Sequence, residues 1–423
     1  MQNDETFGGQ VDTQHFWRDL QHQVCIGALP GGGLGRLALD DNDIRARQWL
    51  IDEGHKLGCQ TFYDLIGNVY LRREGLDPQL PPLLIGSHLD SQPCGGAYDG
   101  TLGVVAGLAV LRTLHEQNIS HPRSIEVVSW TNEEGARFAP GTPGSAWFAG
   151  KRELEEILPL CDDSGTTFGD ALAHCLSVLG DSNAIDRPDS FTPHAYLEVH
   201  IEQGPILDAS GLPVCAVSGI QGVNWYRFEL VGVANHAGTT PMEMRYDALM
   251  AAHTLISELK SVIERTAVQH QDNQLRFTIG KFALAPGSVN TIADRATFSV
   301  DLRHPKAETL AVIDAEFQQL AQQLWEGCEA TLHVSSRVPP VAFDEDIVSL
   351  LERSIEQYAP GAPRLVSGAF HDAIHIAHLC PSAMLFVACR DGLSHHPDEH
   401  VEEQDAAPAV RVLAQTAFEL LHQ

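Results

Sequence analysis

Residues 86–100 read Gly-Ser-His-Leu-Asp-Ser-Gln-Pro-Cys-Gly-Gly-Ala-Tyr-Asp-Gly. A short apolar run, Pro82 to Ile85, precedes this stretch and stops at Gly86. Such a run predicts a buried strand delivering its C-terminal end to a loop, the usual place of ligand chemistry in an open α/β sheet. His88 and Asp90 stand at the strand end, Asp99 follows a glycine-rich loop, and an apolar helix begins near Thr101. Neutral His88 can offer a ring nitrogen to a divalent metal, and Asp90 can accept the other ring N–H and fix the tautomer. Asp99 has two oxygens with which to bridge two ions. In a chain with 21 histidines, an isolated His-x-Asp also reads as ordinary polar packing.

Composition narrows the field. A chain of 423 residues is long enough for two or three domains. Its 43% hydrophobic and 20% charged residues are those of a soluble globular protein. A formal net charge of −29 argues against a nucleic acid or an anionic membrane as partner, and favours divalent cations near carboxylate clusters. The nine cysteines form no C-x-x-C pair, and Met1 to Gln10 is polar with no apolar signal core. Reduced thiols and a cytoplasmic location are the expectation. Leu102 to Leu111 is too short to span a bilayer and reads as a core helix, with Gly103 and Gly107 permitting close packing.

Outward from the quoted stretch, residues 12–26 have helical periodicity, Pro30 to Gly33 breaks the chain, and a second helix capped around Asp41 to Asp43 runs to about Leu57. Thr61 to Arg72, Leu83 to Gly86, Ser124 to Thr131 and Ala195 to Gln203 read as strands, giving βαβ logic. Asn132-Glu133-Glu134-Gly135 stands at the third strand's end; one acid could ligate a metal while the other serves as general base, or the pair is a polar turn. On the fourth, His200 shares a face with Tyr196, Glu198 and Glu202, as a third ligand or a structural histidine.

From Ser218 the pattern changes to β-α-β-β-α-β: strands at 222–233, 275–284, 294–303 and 330–335, helices at 245–265 and 306–327. After Pro340 the α/β character resumes with helices at 347–358 and 371–379, a strand at 383–387 and a last helix at 406–421. The fold class is α/β: a mostly parallel-sheet catalytic domain, residues 1–217 and 336–423, carrying an inserted ferredoxin-like α+β domain, residues 218–335. The loop Asp391 to Glu399 offers two adjacent imidazoles and two acids, as a last ligand or an exposed turn.

Together the stretches Gly86 to Ser91, Gly96 to Gly100, Trp130 to Phe138, Glu198 to Pro205, Asn235 to Met242, Ser367 to Ala373 and Ser394 to Pro397 resemble the hydantoinase/carbamoylase family of binuclear zinc amidohydrolases, relatives of the aminoacylase and carboxypeptidase metalloenzymes. No single motif decides this; their order and spacing do. The resemblance implies that His88, Asp99 and His200 hold one divalent ion and Asp99, Glu134 and His395 the other, with Asp90 behind them and Glu133 as general base and acid. His395 is chosen over His396 because the family pattern is Ser-His-x-Pro. Zinc suits these ligands; manganese, cobalt or nickel could substitute. The resemblance also implies a lid role and homodimer pairing for the inserted domain, oxyanion stabilisation by His236, and substrate contacts from Gln203, His236, Asn290 and Arg303, the last gripping a carboxylate.

The implied reaction is hydrolysis of an N-carbamoyl-L-amino acid to the amino acid, ammonia and carbon dioxide. Allantoate, β-ureidopropionate or an N-acyl amino acid are the alternatives within the class. Asn224-Trp225 stands where allantoate-cleaving relatives tend to carry arginine, and Thr142-Pro143 and Ala388-Cys389 also depart from the family pattern. A metal-stabilised binding protein without catalysis is the reading from another class, and the retained Glu133 speaks against it. A serine hydrolase is disfavoured by the absence of G-x-S-x-G, and Gly144 to Lys151 misses the P-loop spacing by one residue.

Overall fold

Four stretches, Leu83–His88, Ile125–Trp130, Ala195–Ile201 and Ser382–Val387, are buried along their whole length. Strands buried on both faces belong in the middle of a parallel layer covered by helices, and the computed structural model places them there. It describes residues 6–180, 192–270 and 273–423. Numbered along the chain, the strands begin with β1 (Gln60–Tyr63), β2 (Val69–Arg73), β3 (Leu83–His88), β4 (Ile125–Trp130), β5 (Ala195–Ile201) and β6 (Val214–Ile220). Then come β7 (Gly222–Val231), β8 (Arg276–Thr278), β9 (Phe282–Ala285), β10 (Arg295–His304), β11 (Leu324–Trp325) and β12 (Cys328–Val338). The last are β13 (Val341–Ala342), β14 (Arg364–Ser367) and β15 (Ser382–Val387).

The first sheet has the order β1-β2-β4-β3-β5-β15-β6-β13, with β14 also on β6. Its centre, β4-β3-β5-β15, is parallel throughout. At the flanks β1, β2 and β6 pair antiparallel. All four central strands therefore end at the same edge, so the segments following β3, β4 and β15 and the end of β5 meet there. Helix Thr101–Glu116 covers the centre, with every residue from Thr101 to Leu114 buried. Each fully buried Leu or Val contributes about 1.5–3 kcal/mol. The close approach depends on Gly103, where a Cβ would lie 2.2 Å from the Val199 carbonyl oxygen.

The stretch 61–72, expected as one strand, is two. Asp64 breaks it by accepting hydrogen bonds from the backbone N–H of Ile66 (3.2 Å) and of Asn68 (2.9 Å). That local turn outcompetes extended pairing. Stretch 275–284 is likewise split, into β8 and β9. The helix expected over 371–379 is only Ala373–Ile376, which leaves His371 and Asp372 as buried residues ahead of it.

The chain forms two compact units, Met1–Ser218 with Phe343–Gln423, and Gly219–Ala342. The second ends later than residue 335 because β12 stays paired with β7 as far as Val338 opposite Val223. Its antiparallel sheet runs β11-β12-β7-β10-β8, with β9 also on β10, the strand arrangement expected of β-α-β-β-α-β order. Helices Ala248–His270 and Ala307–Ala321 pack Leu255, Leu259, Ile313 and Phe317 against Phe228 and Phe298 of the sheet. Among the described residues no helix is long and apolar enough to cross a membrane.

Candidate active site

At the shared edge of the parallel strands, His88 ends β3, Glu133 and Glu134 follow β4, His200 lies near the end of β5, and His395 follows β15. Among the described residues, two groups of ligand-type atoms that share Asp99 form there, each within 4.8 Å: His88, Asp99 and His200, and Asp99, Glu134 and His395. His200 Nε2 lies 2.6 Å from Asp99 Oδ1, and His395 Nε2 is 3.2 Å from Glu134 Oε2 and 3.5 Å from Asp99 Oδ2. His396 faces Asp398 instead. Glu133 Oε2 lies 3.5 Å from His88 Nε2, so the two adjacent acids diverge to different groups. Asn132, at φ +59, and His395, at φ +55, hold left-handed backbone. Such conformations cost about 1–3 kcal/mol and persist where their surroundings enforce them.

Acidic groups dominate the electrostatics. Burial would raise Asp99, but His200, His88 and His395 hold it below the usual carboxylate range. Burial would lower His200, yet Asp99 and Glu198 keep its pKa up at about 10. Glu133 is pushed well above a normal glutamate, first by burial and then by Asp372, Glu134, Asp99 and Asp90. His395 is raised to about 9, chiefly by its hydrogen bond to Glu134. Buried carboxylates without a basic partner are costly, and divalent cations are the natural compensation.

Residues 84–419 of the chain match Peptidase family M20/M25/M40. The chain belongs to this family. M20 enzymes use divalent metal ions, and this member is a hydrolase of non-peptide amide or ureido bonds. It is 35% identical over 414 residues to the N-carbamoyl-L-amino-acid amidohydrolase of Rhizobium meliloti, covering 97% of each chain. The ureidoglycolate hydrolase of Oryza sativa subsp. japonica is 29% identical over 411 residues, 96% of this chain and 84% of that protein. A crystal structure of a hydantoinase/carbamoylase family amidase from Burkholderia multivorans superposes with a TM-score of 0.88 at 37% identity, covering 98% of each chain.

The two candidate ligand sets have the donor chemistry of a divalent-ion site. His88 Nε2 is buried beside the carboxylates with no hydrogen-bond partner among the described residues, 3.8 Å from Asp99 Oδ1. Its Nδ1 faces the backbone carbonyl of Asp90 at 2.9 Å, whereas the Asp90 carboxylate expected in that role is 3.9 Å away. Those carboxylate oxygens instead accept the backbone N–H groups of Glu133 and Glu134, both at 3.2 Å. The Asp90 side chain thus aims the two acids, while its carbonyl sets the tautomer of His88. Gln203, expected to contact substrate, donates to Asp99 Oδ2 at 2.7 Å.

The other expected substrate residues belong to the second unit. His236 Nδ1 accepts the backbone N–H groups of Gly238 (3.0 Å) and Thr239 (3.2 Å), so the neutral ring carries its proton on Nε2. Asn290 is brought beside it, its carbonyl accepting the N–H of Ala237 at 2.9 Å. Arg303 donates from Nε and Nη2 to the two oxygens of Asp301 at 2.8 and 2.9 Å. Trp225 Nε1 donates to the same carboxylate at 2.8 Å.

Sequence reading missed several partners. Gln92 donates to Glu134 at 2.8 Å, and Ser394 to Asp99 at 3.0 Å. Glu399, seen only as one acid of a polar loop, is buried and accepts the backbone N–H groups of Tyr98 and Asp99, both at 3.0 Å. Gly96 makes room for it: a Cβ there would meet the Glu399 carboxylate at 1.8–2.0 Å. Replacing Gly96 by Ala should expel Glu399, destabilising the fold by about 2 kcal/mol and loosening Asp99. Gly31→Ala, whose Cβ meets nothing within 4 Å among the described residues, is the control. Thermal melts and metal titrations that do not separate the two variants would refute this.

Proposed function

We propose that the protein hydrolyses the carbamoyl C–N bond of N-carbamoyl-L-amino acids. One water and the substrate give the L-amino acid, carbon dioxide and ammonia. The observation that carries the catalytic reading is Glu133, buried 3.5 Å from His88 Nε2 and beside two ligand sets that share Asp99. The substrate choice is supported by the 35% identity to an N-carbamoyl-L-amino-acid amidohydrolase over nearly the whole chain.

His88, Asp99 and His200 would hold one ion, and Asp99, Glu134 and His395 the other; zinc suits them, with manganese, cobalt or nickel as substitutes. Two bound divalent ions supply Lewis acidity, polarising the scissile carbonyl and lowering the pKa of water. Glu133 takes the proton from the attacking water and returns it to the leaving nitrogen, a role that a carboxyl with a raised pKa suits. His236 offers an N–H from Nε2 to the oxyanion, from its own chain or from a second copy in a homodimer. Gln203 Oε1, buried without a hydrogen-bond partner among the described residues, suits a substrate ureido N–H. Arg303, steered by Asp301, and Asn290 would bind the carboxylate end of the substrate.

Ammonia release from N-carbamoyl-L-amino acids, their D-enantiomers, β-ureidopropionate, allantoate, ureidoglycolate and N-acyl amino acids tests the proposal. Metal-loaded and chelator-treated protein are compared. Metal-dependent release from the L-carbamoyl substrates is expected, falling at least 100-fold after chelation. Release from ureidoglycolate or allantoate alone would overturn the substrate; silence throughout would overturn the activity.

A further inference from the structure

Glu198 is a buried carboxylate that the proposed chemistry does not use. It lies two residues before His200 on β5 and is 1% exposed. Among the described residues its one ion-pair partner is His200, whose Nδ1 is 3.2 Å from Glu198 Oε1. The other oxygen, Oε2, accepts the hydroxyl of Tyr196 and the backbone N–H of Ala373, both at 3.0 Å. Tyr196 is anchored in turn by Trp130 Nε1 at 3.0 Å. Ser87 Oγ lies 3.4 Å from both Glu198 Oε1 and His200 Nδ1.

This geometry fixes the histidine. An ionised carboxylate only accepts, so Nδ1 of His200 must be the donor. Nε2 lies 2.6 Å from Asp99 Oδ1 and donates there as long as no ion is bound; with an ion in the first ligand set, the neutral ring held at Nδ1 by Glu198 would offer its lone pair from Nε2. We infer that Glu198 is a positioning residue that sets the tautomer and ring angle of His200, and so governs the affinity of the ion held with His88 and Asp99. The inference rests on the metal-site reading proposed above.

A competing arrangement is geometrically available, because Glu198, His200 and His371 also offer ligand atoms within 4.8 Å. In it His200 would have to ligate through both nitrogens. His371 is held at Nε2 by Ser367 Oγ at 2.8 Å, while its Nδ1 is buried without a hydrogen-bond partner among the described residues, so the test below includes this arrangement as an outcome. The hydrogen-bonded reading uses Glu198 and His200 with no such demand.

Glu198→Gln separates the possibilities. The carboxylate accepts on both oxygens, whereas an amide has one acceptor, so Gln can satisfy either the His200 N–H or the Ala373 N–H but not both. Metal content and chelator-competition titration of wild type and Glu198→Gln, with zinc and with cobalt, are the measurements. The expected result is two ions per wild-type chain, and in the variant a 10–100-fold weaker affinity for one of them, with the other changed less than threefold. The visible spectrum of the cobalt-loaded protein should change in parallel, while the melting temperature of metal-free protein stays within a few degrees. Unchanged affinities, equal weakening of both ions, or a matching fall in metal-free melting temperature would overturn the positioning role alone. Three ions in wild type, one lost in the variant, would make Glu198 a ligand and overturn it too. A wild type that binds no metal would overturn the site reading and this inference together.

Discussion

Glu133→Gln is expected to lower kcat by about 10²–10⁴-fold while leaving both metal ions in place. The amide keeps the shape of the side chain and its buried seat, but it cannot take a proton from water. Glu133 also stands apart from the residues that would hold the ions: it is not in either ligand set, and its nearest imidazole, His88, is 3.5 Å away. Replacing one of several crowded carboxylates by a neutral group relieves repulsion, so the variant should fold at least as well as the wild type. Steady-state kinetics with elemental analysis on the same samples decides the matter. A variant with near-normal turnover would remove Glu133 as base, and one that loses metal as well would make it a ligand.

Asp99→Ala should have the broadest effect, because Asp99 belongs to both ligand sets. It accepts from Gln203 and Ser394 as well as facing His200 and His395. Removing it takes the shared oxygens from two sites and leaves buried imidazoles uncompensated. Breaking one side of a buried pair costs about 3–5 kcal/mol. Both ions should be lost on dialysis, activity should fall to background, and the denaturant midpoint should drop. Retention of two ions per chain would show that Asp99 does not join the sets.

The parts of this molecule that were legible in advance are those where one residue type at one spacing has one physical use. The run into Gly86 announced β3, and the order of short motifs brought His88, Asp99, Glu134, His200 and His395 into one site although they come from distant parts of the chain. The hydrogen-bonded surroundings were less legible. Glu399 reaches the Tyr98 amide from 301 residues away, a pairing that no local pattern encodes. The Asp90 contact was expected through the wrong oxygen, because sequence names a residue and not which of its acceptors faces a ring. Strand breaks at Asp64 and near Gly280 escaped because side-chain-to-backbone bonds compete with apolar alternation over only a few residues.

The position of β15 between β5 and β6 has a consequence for how the chain is made. The first six strands and the whole of Gly219–Ala342 are synthesised before β15 leaves the ribosome. Until then β5 and β6 have a gap between them, and the unpaired edge of β5 is an apolar template for other chains. Contacts of such long sequence separation form late and slowly. A nascent chain lacking its last segment therefore has neither a continuous sheet nor His395, and the second ligand set can close only when the sheet does. Assembly of the proposed two-ion site thus waits on β15 and the loop that follows it.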